Sequence, residues 1–307
     1  MEVINIQTED GRLLAGNWIR ATGALPVRGT VVIHSATGVP CKFYNAFAAY
    51  LSEQAFDVFL WDARGIGKSA TVHARDDSAT MRDWGQRDQQ AVLQHLRSSN
   101  SSGKLVIIGH SSGGHLSGLA PLTANADALI LIASGGCDWR DYPPSQWPRL
   151  LAAWWLAMPL LLQLFGYLPA WAGVGHDLPR GVAQDWRHWS LTRGYLFGDA
   201  TLDTSGYSCY VGPLLALSIS DDRGFAPPGT VRTLLQKFVN ATTQHREIEA
   251  TEGHRGKIGH FGFFKSQNAS LWPHVSKWLD SVLVANGTAD LTTEFFMQGS
   301  DTLNLKL

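Results

Sequence analysis

The stretch Gly109-His110-Ser111-Ser112-Gly113 decides the fold that this chain is expected to adopt. It follows an apolar run at residues 104–108 that is typical of a β-strand, and it leads into a segment that is compatible with a helix. A serine on so tight a strand-to-helix turn needs small neighbours, because a Cβ at either flanking glycine would crowd the strained backbone. The pattern favours a nucleophile elbow that projects Ser111 Oγ above a sheet, and a loop that only caps a helix is the alternative.

Apolar runs and helix-like segments alternate along the chain on both sides of this turn. Residues 3–7 and 13–20 flank a turn signal and predict a β-hairpin. Continuous apolar runs, which are typical of strands buried on both faces of a parallel sheet, occur at residues 30–34, 56–61, 105–108, 128–133 and 214–219. Segments with the apolar spacing of a helix lie between them. We therefore predict an α/β fold with a mostly parallel, doubly wound sheet.

The alternation stops after residue 137 and resumes near residue 213, a gap too long for a simple connection. We predict a core of residues 1–137 and 211–285, a tryptophan-rich helical cap inserted at 138–210, and a C-terminal tail at 286–307. Within the apolar stretch 150–172, which prolines and a glycine interrupt, we expect two short helices. Trp154, Trp155 and Phe165 are our candidates for an apolar substrate pocket, although the aromatic residues could serve only as the core of the cap.

Two carboxylates follow the last of the apolar runs, and several histidines lie downstream of them. A serine nucleophile needs a histidine base and an acid that orients it, and in this arrangement the acid and then the histidine follow the serine. Asp222 is our candidate for the acid, and Asp221 is the alternative unless both cap the next helix. His260 is our candidate for the base, because glycines on both sides let its loop turn back and phenylalanines can anchor it. His254 is the alternative base.

An oxyanion hole of two backbone N–H groups completes the predicted site. The N–H after the nucleophile, from Ser112, is one donor, and the loop after the run at 30–34 should supply the other. Ala36 is our candidate for the second donor and Thr37 is the alternative. Donors of this kind typically lower the barrier by ~3–4 kcal/mol each.

Composition argues against several other classes of function. Lys+Arg 25 against Asp+Glu 26, without a basic block, does not predict nucleic acid as a partner. Cys41, Cys137 and Cys209 lie far apart without the spacing of metal ligands, so we expect three reduced, buried cysteines, no metal and no cofactor. The first residues carry no basic segment followed by an apolar one, which predicts a cytoplasmic protein.

The stretch from Asp62 to Ser69, DARGIGKS, ends like a phosphate-binding loop. Such a loop needs glycine where Asp62 stands, and a carboxylate there would face phosphate oxygens. We interpret the stretch instead as a glycine-containing turn that a pair of Asp62 and Arg64 rigidifies.

Four motifs together resemble those of the α/β-hydrolase superfamily over residues 1–285. They are DARGIGKS at 62–69, GHSSGG at 109–114, PLLALSISDD at 213–222 and IGHFGFF at 258–264. The resemblance places the acid on the second aspartate, Asp222, and a narrower similarity points to a group of bacterial α/β hydrolases. The pair His34-Ser35 departs from the His-Gly that is usual after the oxyanion strand.

The resemblance implies a serine hydrolase that cleaves a carboxylic ester, thioester or lactone with an apolar moiety through an acyl-enzyme intermediate. The partner would then be a small hydrophobic ester. An acyltransferase with the same triad is one alternative, and a non-catalytic binding protein that keeps the pocket is another. Attachment to a membrane through residues 150–172 is a minor alternative for the cap.

Overall fold

A mixed sheet of eight strands runs through the protein in the computed structural model, which describes residues 4–23, 25–99, 103–173 and 175–284. The strands are β1 (Ile4–Gln7), β2 (Leu13–Ile19), β3 (Gly29–His34), β4 (Phe56–Trp61), β5 (Leu105–His110), β6 (Ala128–Ile132), β7 (Pro213–Ile219) and β8 (Thr242–Ile248). Their order across the sheet is β1-β2-β4-β3-β5-β6-β7-β8. Strands β1 and β2 pair antiparallel, and β3 to β8 run parallel to one another. The predicted hairpin and mostly parallel sheet are confirmed.

Helices cover both faces of this sheet, which is why the central strands are almost entirely buried. The helices are α1 (Asn45–Glu53), α2 (Met81–Asp83), α3 (Gln90–Ser99), α4 (Ser112–His115), α5 (Trp147–Ala152), α6 (Met158–Phe165), α7 (Arg180–Leu191), α8 (Ser205–Cys209), α9 (Pro228–Leu235), α10 (Gly259–Gly262) and α11 (Pro273–Val284). A π-helical turn, Trp84–Gln89, joins α2 to α3, and another, Ala153–Ala157, joins α5 to α6.

The edge strand β8 is the strand that sequence analysis missed. Its sequence, TTQHREI, is polar, and its first six residues are exposed. A strand of this kind is defined by its parallel register with β7, from Pro213 opposite Thr242 to Ile219 opposite Ile248. Since the apolar signal of a buried strand is absent, local sequence could not reveal it.

The helices α5 to α8 lie between β6 and β7, within the predicted cap. The expectation of two short helices in 150–172 is wrong, because α5, the π turn and α6 form one continuous helix. It ends at Phe165 and is followed by Gly166 with φ 83°. Pro159 does not break this helix, since its missing N–H falls beside the π turn, where the regular hydrogen-bond ladder is already interrupted. The boundaries at 138 and 210 stay a prediction, and the predicted tail at 286–307 lies outside the described residues.

The turn after β4 has two anchors that do not pair with each other, so the predicted pair of Asp62 and Arg64 is wrong. Asp62 accepts from the N–H groups of Cys41 and Lys68 over 2.6 and 2.8 Å. Arg64 instead donates to Asp88 over 2.7 Å and is buried. Asp62 therefore ties the turn to the segment at Cys41, and Arg64 ties it to the segment at Asp88.

The three cysteines are free thiols, but they differ in burial. Cys41 is buried, Cys137 is half-buried and Cys209 is exposed at the end of α8. The expectation of three buried cysteines is therefore correct for Cys41 alone, because the amphipathic turn at α8 faces Cys209 outward.

Candidate active site

Ser111 lies at the sharp turn between β5 and α4. Its backbone has φ 51° and ψ −118°, a strained conformation for a residue with a side chain. A Cβ on Gly109 would lie 2.3 Å from Gly114 Cα, and one on Gly113 would lie 2.1 Å from the carbonyl oxygen of His34. The turn therefore requires glycine at both positions, and its geometry is that of a nucleophile elbow.

The predicted base and acid lie side by side. His260 Nδ1 donates to Asp222 Oδ2 over 2.6 Å, and both side chains are buried. The Asp222 carboxylate also accepts from the N–H groups of Phe225 and Ala226, each over 3.1 Å. The Phe225 ring stacks on the imidazole with ring centroids 4.7 Å apart. Because these contacts hold the carboxylate and the ring, a neutral His260 keeps its proton on Nδ1 and leaves Nε2 free to accept one.

Asp221, the alternative acid, binds the backbone of the histidine loop. Its carboxylate accepts from the N–H of Ile258 over 3.1 Å and from that of Gly259 over 2.8 Å. The two adjacent aspartates therefore hold different parts of one loop. Asp221 fixes the backbone just before His260, and Asp222 fixes the imidazole.

The other histidines near the site are placed differently. His254, the alternative base, is exposed on a 3-10 turn, and the structure brings His260 rather than His254 to the acid. Burial lowers the pKa of His115 to about 4, so its imidazole is neutral near pH 7. In the described part of the chain, no group of three or more His, Cys, Asp or Glu residues could hold a metal ion.

A chain of three hydrogen bonds beneath the site joins the loop after β3 to the histidine loop. Ala36 N–H donates to Tyr44 Oη over 2.9 Å, Tyr44 Oη lies 2.8 Å from His110 Nδ1, and His110 Nε2 lies 3.0 Å from the carbonyl oxygen of His260. A carbonyl oxygen only accepts, so His110 Nε2 carries a proton. Burial holds the pKa of His110 well below its ordinary value, so the ring is neutral and its Nδ1 accepts from the Tyr44 hydroxyl.

The two predicted oxyanion donors have different surroundings. Ser112 is the first residue of α4, so its N–H has no acceptor within that helix. The prediction of Ala36 as the second donor is wrong, because its N–H already donates to Tyr44 Oη. Thr37, the alternative, lines the same cavity as Ser111.

A cavity of about 210 Å³ lies at Ser111 and is walled in part by the helix from α5 to α6. Its apolar lining includes Leu150, Trp154, Met158, Leu161, Trp186 and Phe225. Its polar lining includes Thr37, His115, Cys137, Tyr142 and Arg149. A mostly apolar cleft with a few polar groups is the usual form of a small-molecule site.

Of the predicted pocket residues, Trp154 lines this cavity and the other two do not. Trp155 is 59% exposed, since consecutive residues of a helix point about 100° apart. Phe165, at the end of α6, is absent from the lining and uses its carbonyl oxygen to bind Arg75. Met158 and Leu161 are two of the pocket residues that sequence analysis missed. They follow Trp154 at the i+4 and i+7 positions of one helix face, so helical spacing would have found them.

Comparison with protein families finds one match. The model of the Hydrolase_4 family, described as serine aminopeptidase S33, matches residues 26–172, just under half of the chain. This range includes the elbow and the loop after β3, but it ends before Asp222 and His260. No protein of curated function matches the chain.

Many solved structures share the fold. A soluble variant of monoglyceride lipase from Saccharomyces cerevisiae, in complex with a substrate analog, has a TM-score of 0.66 at 15% identity, covering 92% of this chain and 96% of that chain. Est1E from Butyrivibrio proteoclasticus with bound ferulic acid has a TM-score of 0.60 at 15% identity, covering 92% and 99%. The esterase PF2001 from Pyrococcus furiosus has a TM-score of 0.59 at 15% identity, covering 92% and 91%. At these identities, the similarity is one of fold.

Proposed function

From the α/β-hydrolase fold of this chain, we propose that it is a serine hydrolase that cleaves carboxylic esters with an apolar moiety. The observation that carries the proposal is the 2.6 Å bond between His260 Nδ1 and Asp222 Oδ2, on a loop tied to the residue before Ser111. A strained serine at a cavity, and a buried histidine bound to a buried carboxylate on a loop tied to the residue before that serine, are the parts that acyl transfer through a covalent intermediate needs.

The proposed reaction begins with a proton transfer within the triad. His260 Nε2 takes the proton of Ser111 Oγ as that oxygen attacks the ester carbonyl carbon, and Asp222 stabilises the imidazolium that forms. The N–H groups of Ser112 and Thr37 bind the resulting oxyanion. His260 then gives its proton to the leaving alcohol, and a water molecule, activated by the same histidine, releases the acid from Ser111.

The cavity supports an apolar acyl or alcohol group of moderate size. Its volume is about 210 Å³. Trp154, Met158 and Leu161 offer hydrocarbon and aromatic surface, which stabilises an apolar group by removing it from water. Esters, thioesters and lactones of this kind share the same carbonyl chemistry, so the proposal covers all three.

Labelling with a fluorophosphonate probe tests the proposal, followed by turnover of p-nitrophenyl esters of increasing acyl length. We expect wild-type protein to be labelled and active, Ser111→Ala to lose both properties, and Ser145→Ala, an exposed serine of the cap segment, to keep both. A folded wild-type protein that is neither labelled nor active would overturn the proposal and favour a binding protein. Labelling with turnover only after addition of an alcohol acceptor would indicate an acyltransferase.

A further inference from the structure

The continuous helix from α5 to α6 is apolar on two opposite faces. Trp154, Met158 and Leu162, each four residues apart, are buried against the protein. Leu156, Leu160 and Leu164, also four residues apart, are 70%, 55% and 64% exposed. A helix that is apolar all round is normally enclosed on all sides. The outer side of this helix is instead exposed, with no other part of the described chain packed over it.

Exposed apolar side chains are concentrated here rather than scattered. Among the described residues, eleven large apolar side chains are exposed, and five of them lie between residues 155 and 171. These five are Trp155, Leu156, Leu160, Leu164 and Trp171, and we call them the cap face. Single exposed leucines are ordinary on protein surfaces, whereas a group of this kind marks a protein or membrane contact.

The helix is long enough to cross a membrane, but its contacts argue against a span. Pro144–Phe165 has the length and the apolar composition of a membrane-spanning helix. The buried face, however, packs over the cavity at Ser111, with Trp154 and Met158 in the lining. Crossing a bilayer would require this face to leave the protein. A helix fixed along one side can instead lie on a bilayer with its other side in contact with lipid.

The charges around the cap face point to lipid rather than to a second protein. Residues 142–175 contain no Asp or Glu and one basic residue, Arg149. Three further arginines donate to carbonyl oxygens of this helix. Arg187 binds that of Trp154 over 2.6 Å, Arg180 binds that of Leu162 over 2.5 Å and Arg75 binds that of Phe165 over 2.8 Å.

These guanidinium groups form a cationic border to an apolar surface. Arg75 and Arg180 are exposed, and the guanidinium of Arg187 lies 5.2 Å from the centroid of the Trp155 ring. A nearby carboxylate, that of Asp177, accepts from the N–H of Ala170 over 2.7 Å. Arginine next to tryptophan and leucine suits the boundary between phosphate headgroups and acyl chains.

The helix that carries most of the cap face also lines the cavity with its other side. Leu150, Ala153, Ala157 and Leu161 of the same helix line the cavity, as do Ala172 and Gly173 directly after Trp171. The cap face and the lining of the cavity are therefore carried by the same short segment of the chain.

We propose that the cap face docks on the surface of a lipid bilayer that contains anionic lipid. The apolar side chains enter the boundary between headgroups and acyl chains, and the arginines bind lipid phosphates. This docking does not depend on the proposed ester hydrolysis, because it uses none of the residues assigned to the triad.

Sedimentation of the full chain with vesicles tests the proposal. The vesicles are phosphatidylcholine alone or phosphatidylcholine with about one third phosphatidylserine. We expect wild-type protein to bind the anionic vesicles at least tenfold more tightly than the neutral ones, with a loss of binding at high salt. The triple variant Leu156→Ser, Leu160→Ser and Leu164→Ser should lose at least tenfold in binding to anionic vesicles, since none of these residues lines the cavity.

A matched control variant carries Val211→Ser and Val239→Ser, which remove exposed apolar side chains next to the amino ends of β7 and β8, the edge of the sheet away from Ser111. This variant and Ser111→Ala should bind vesicles like wild type, while turnover of a short soluble ester tests hydrolysis separately. Wild-type protein that binds neither vesicle, or a triple variant that binds like wild type, would overturn the docking. A wild-type dimer that the triple variant converts to a monomer would overturn it too, because a second copy would then cover the cap face.

Discussion

The hydroxyl of Tyr44 donates over 2.8 Å to Nδ1 of His110, the residue directly before the proposed nucleophile Ser111. Tyr44 Oη also accepts from Ala36 N–H, and His110 Nε2 donates to the carbonyl oxygen of His260. One buried hydroxyl therefore links the three segments that carry the oxyanion loop, the nucleophile and the base. A change at Tyr44 should alter their relative positions, although its side chain is absent from the cavity lining.

Replacing Tyr44 with phenylalanine should reduce kcat more than it changes KM. The substitution keeps the ring but leaves Ala36 N–H and His110 Nδ1 without their buried partner, which costs about 1–3 kcal/mol of stability. Small displacements of reacting groups lower rates steeply, so we expect kcat to fall on the order of tenfold to a hundredfold. Turnover of a soluble p-nitrophenyl ester and urea unfolding measure the two effects.

Tyr210→Phe is the matched control for this change. Tyr210 is buried, and its hydroxyl donates to the carbonyl oxygen of Pro213 over 2.7 Å, at the start of β7 and away from the site. It should lose stability as Tyr44→Phe does and keep its kcat. Equal loss of kcat in both variants would contradict the positioning role of Tyr44.

The neighbouring aspartates should respond differently to substitution by asparagine. Asp222→Asn should lower kcat roughly ten-thousandfold, because an amide supports the wrong tautomer of His260. Asp221→Asn keeps one oxygen that can accept from Ile258 or Gly259, so its kcat should fall roughly tenfold or less. Steady-state kinetics on one ester compares the two variants. A larger loss of kcat for Asp221→Asn than for Asp222→Asn would show that Asp222 is not the acid.

Substitutions of the neighbouring Trp154 and Trp155 should have different effects on kinetics, because Trp154 lines the cavity and Trp155 lies on the surface. Trp154→Ala enlarges the cavity, so the preferred acyl chain should become longer and KM for short esters should rise by roughly tenfold. Trp155→Ala should leave kcat and KM for soluble esters unchanged, because its side chain is 59% exposed and outside the lining. A series of p-nitrophenyl esters of increasing acyl length measures the difference. A change in the preferred acyl length for Trp155→Ala, with none for Trp154→Ala, would show that Trp155 and not Trp154 contacts the substrate.

Acid should destabilise the protein through His115. Burial lowers its pKa from the ordinary 6.5 to about 4, while Nδ1 donates to the carbonyl oxygen of Gly135 over 3.0 Å. Above pH 6.5 the imidazole is neutral in both the folded and the unfolded chain. As the pH falls below 6.5, the unfolded chain takes up a proton that the folded protein does not, so the free energy of unfolding decreases until about pH 4.

His115→Asn should reduce this dependence on pH, because asparagine keeps a donor for Gly135 and does not titrate. Between pH 7.5 and pH 5, wild-type protein should lose about 2 kcal/mol more of its unfolding free energy than the variant loses. Urea unfolding at both pH values measures the two losses, and an equal loss in the two proteins would show that His115 does not contribute.

Most of the sheet was predictable because buried strands have a local signal. The runs at 30–34, 56–61 and 128–133 correspond to β3, β4 and β6 within one residue at each end, since side chains covered on both faces must be apolar. The strand β8 was not predictable, because its position depends on pairing with β7. Pro159 was misleading for a similar reason, since a π turn makes room for it in the helix.

By itself, the sequence determined the kind of chemistry the site can support. The glycines around Ser111, and the order in which the serine, the two adjacent aspartates and the histidine loop follow one another, can be read from the sequence. A tight elbow excludes side chains at its flanks, and the motifs occupy fixed places between strands. Tertiary structure alone decided which aspartate meets His260, that Tyr44 occupies the N–H of Ala36, and that Trp154 faces the cavity while Trp155 faces outward. These outcomes depend on distances between segments far apart in the chain, and hydrogen-bond geometry selects among neighbouring residues that local sequence leaves equivalent.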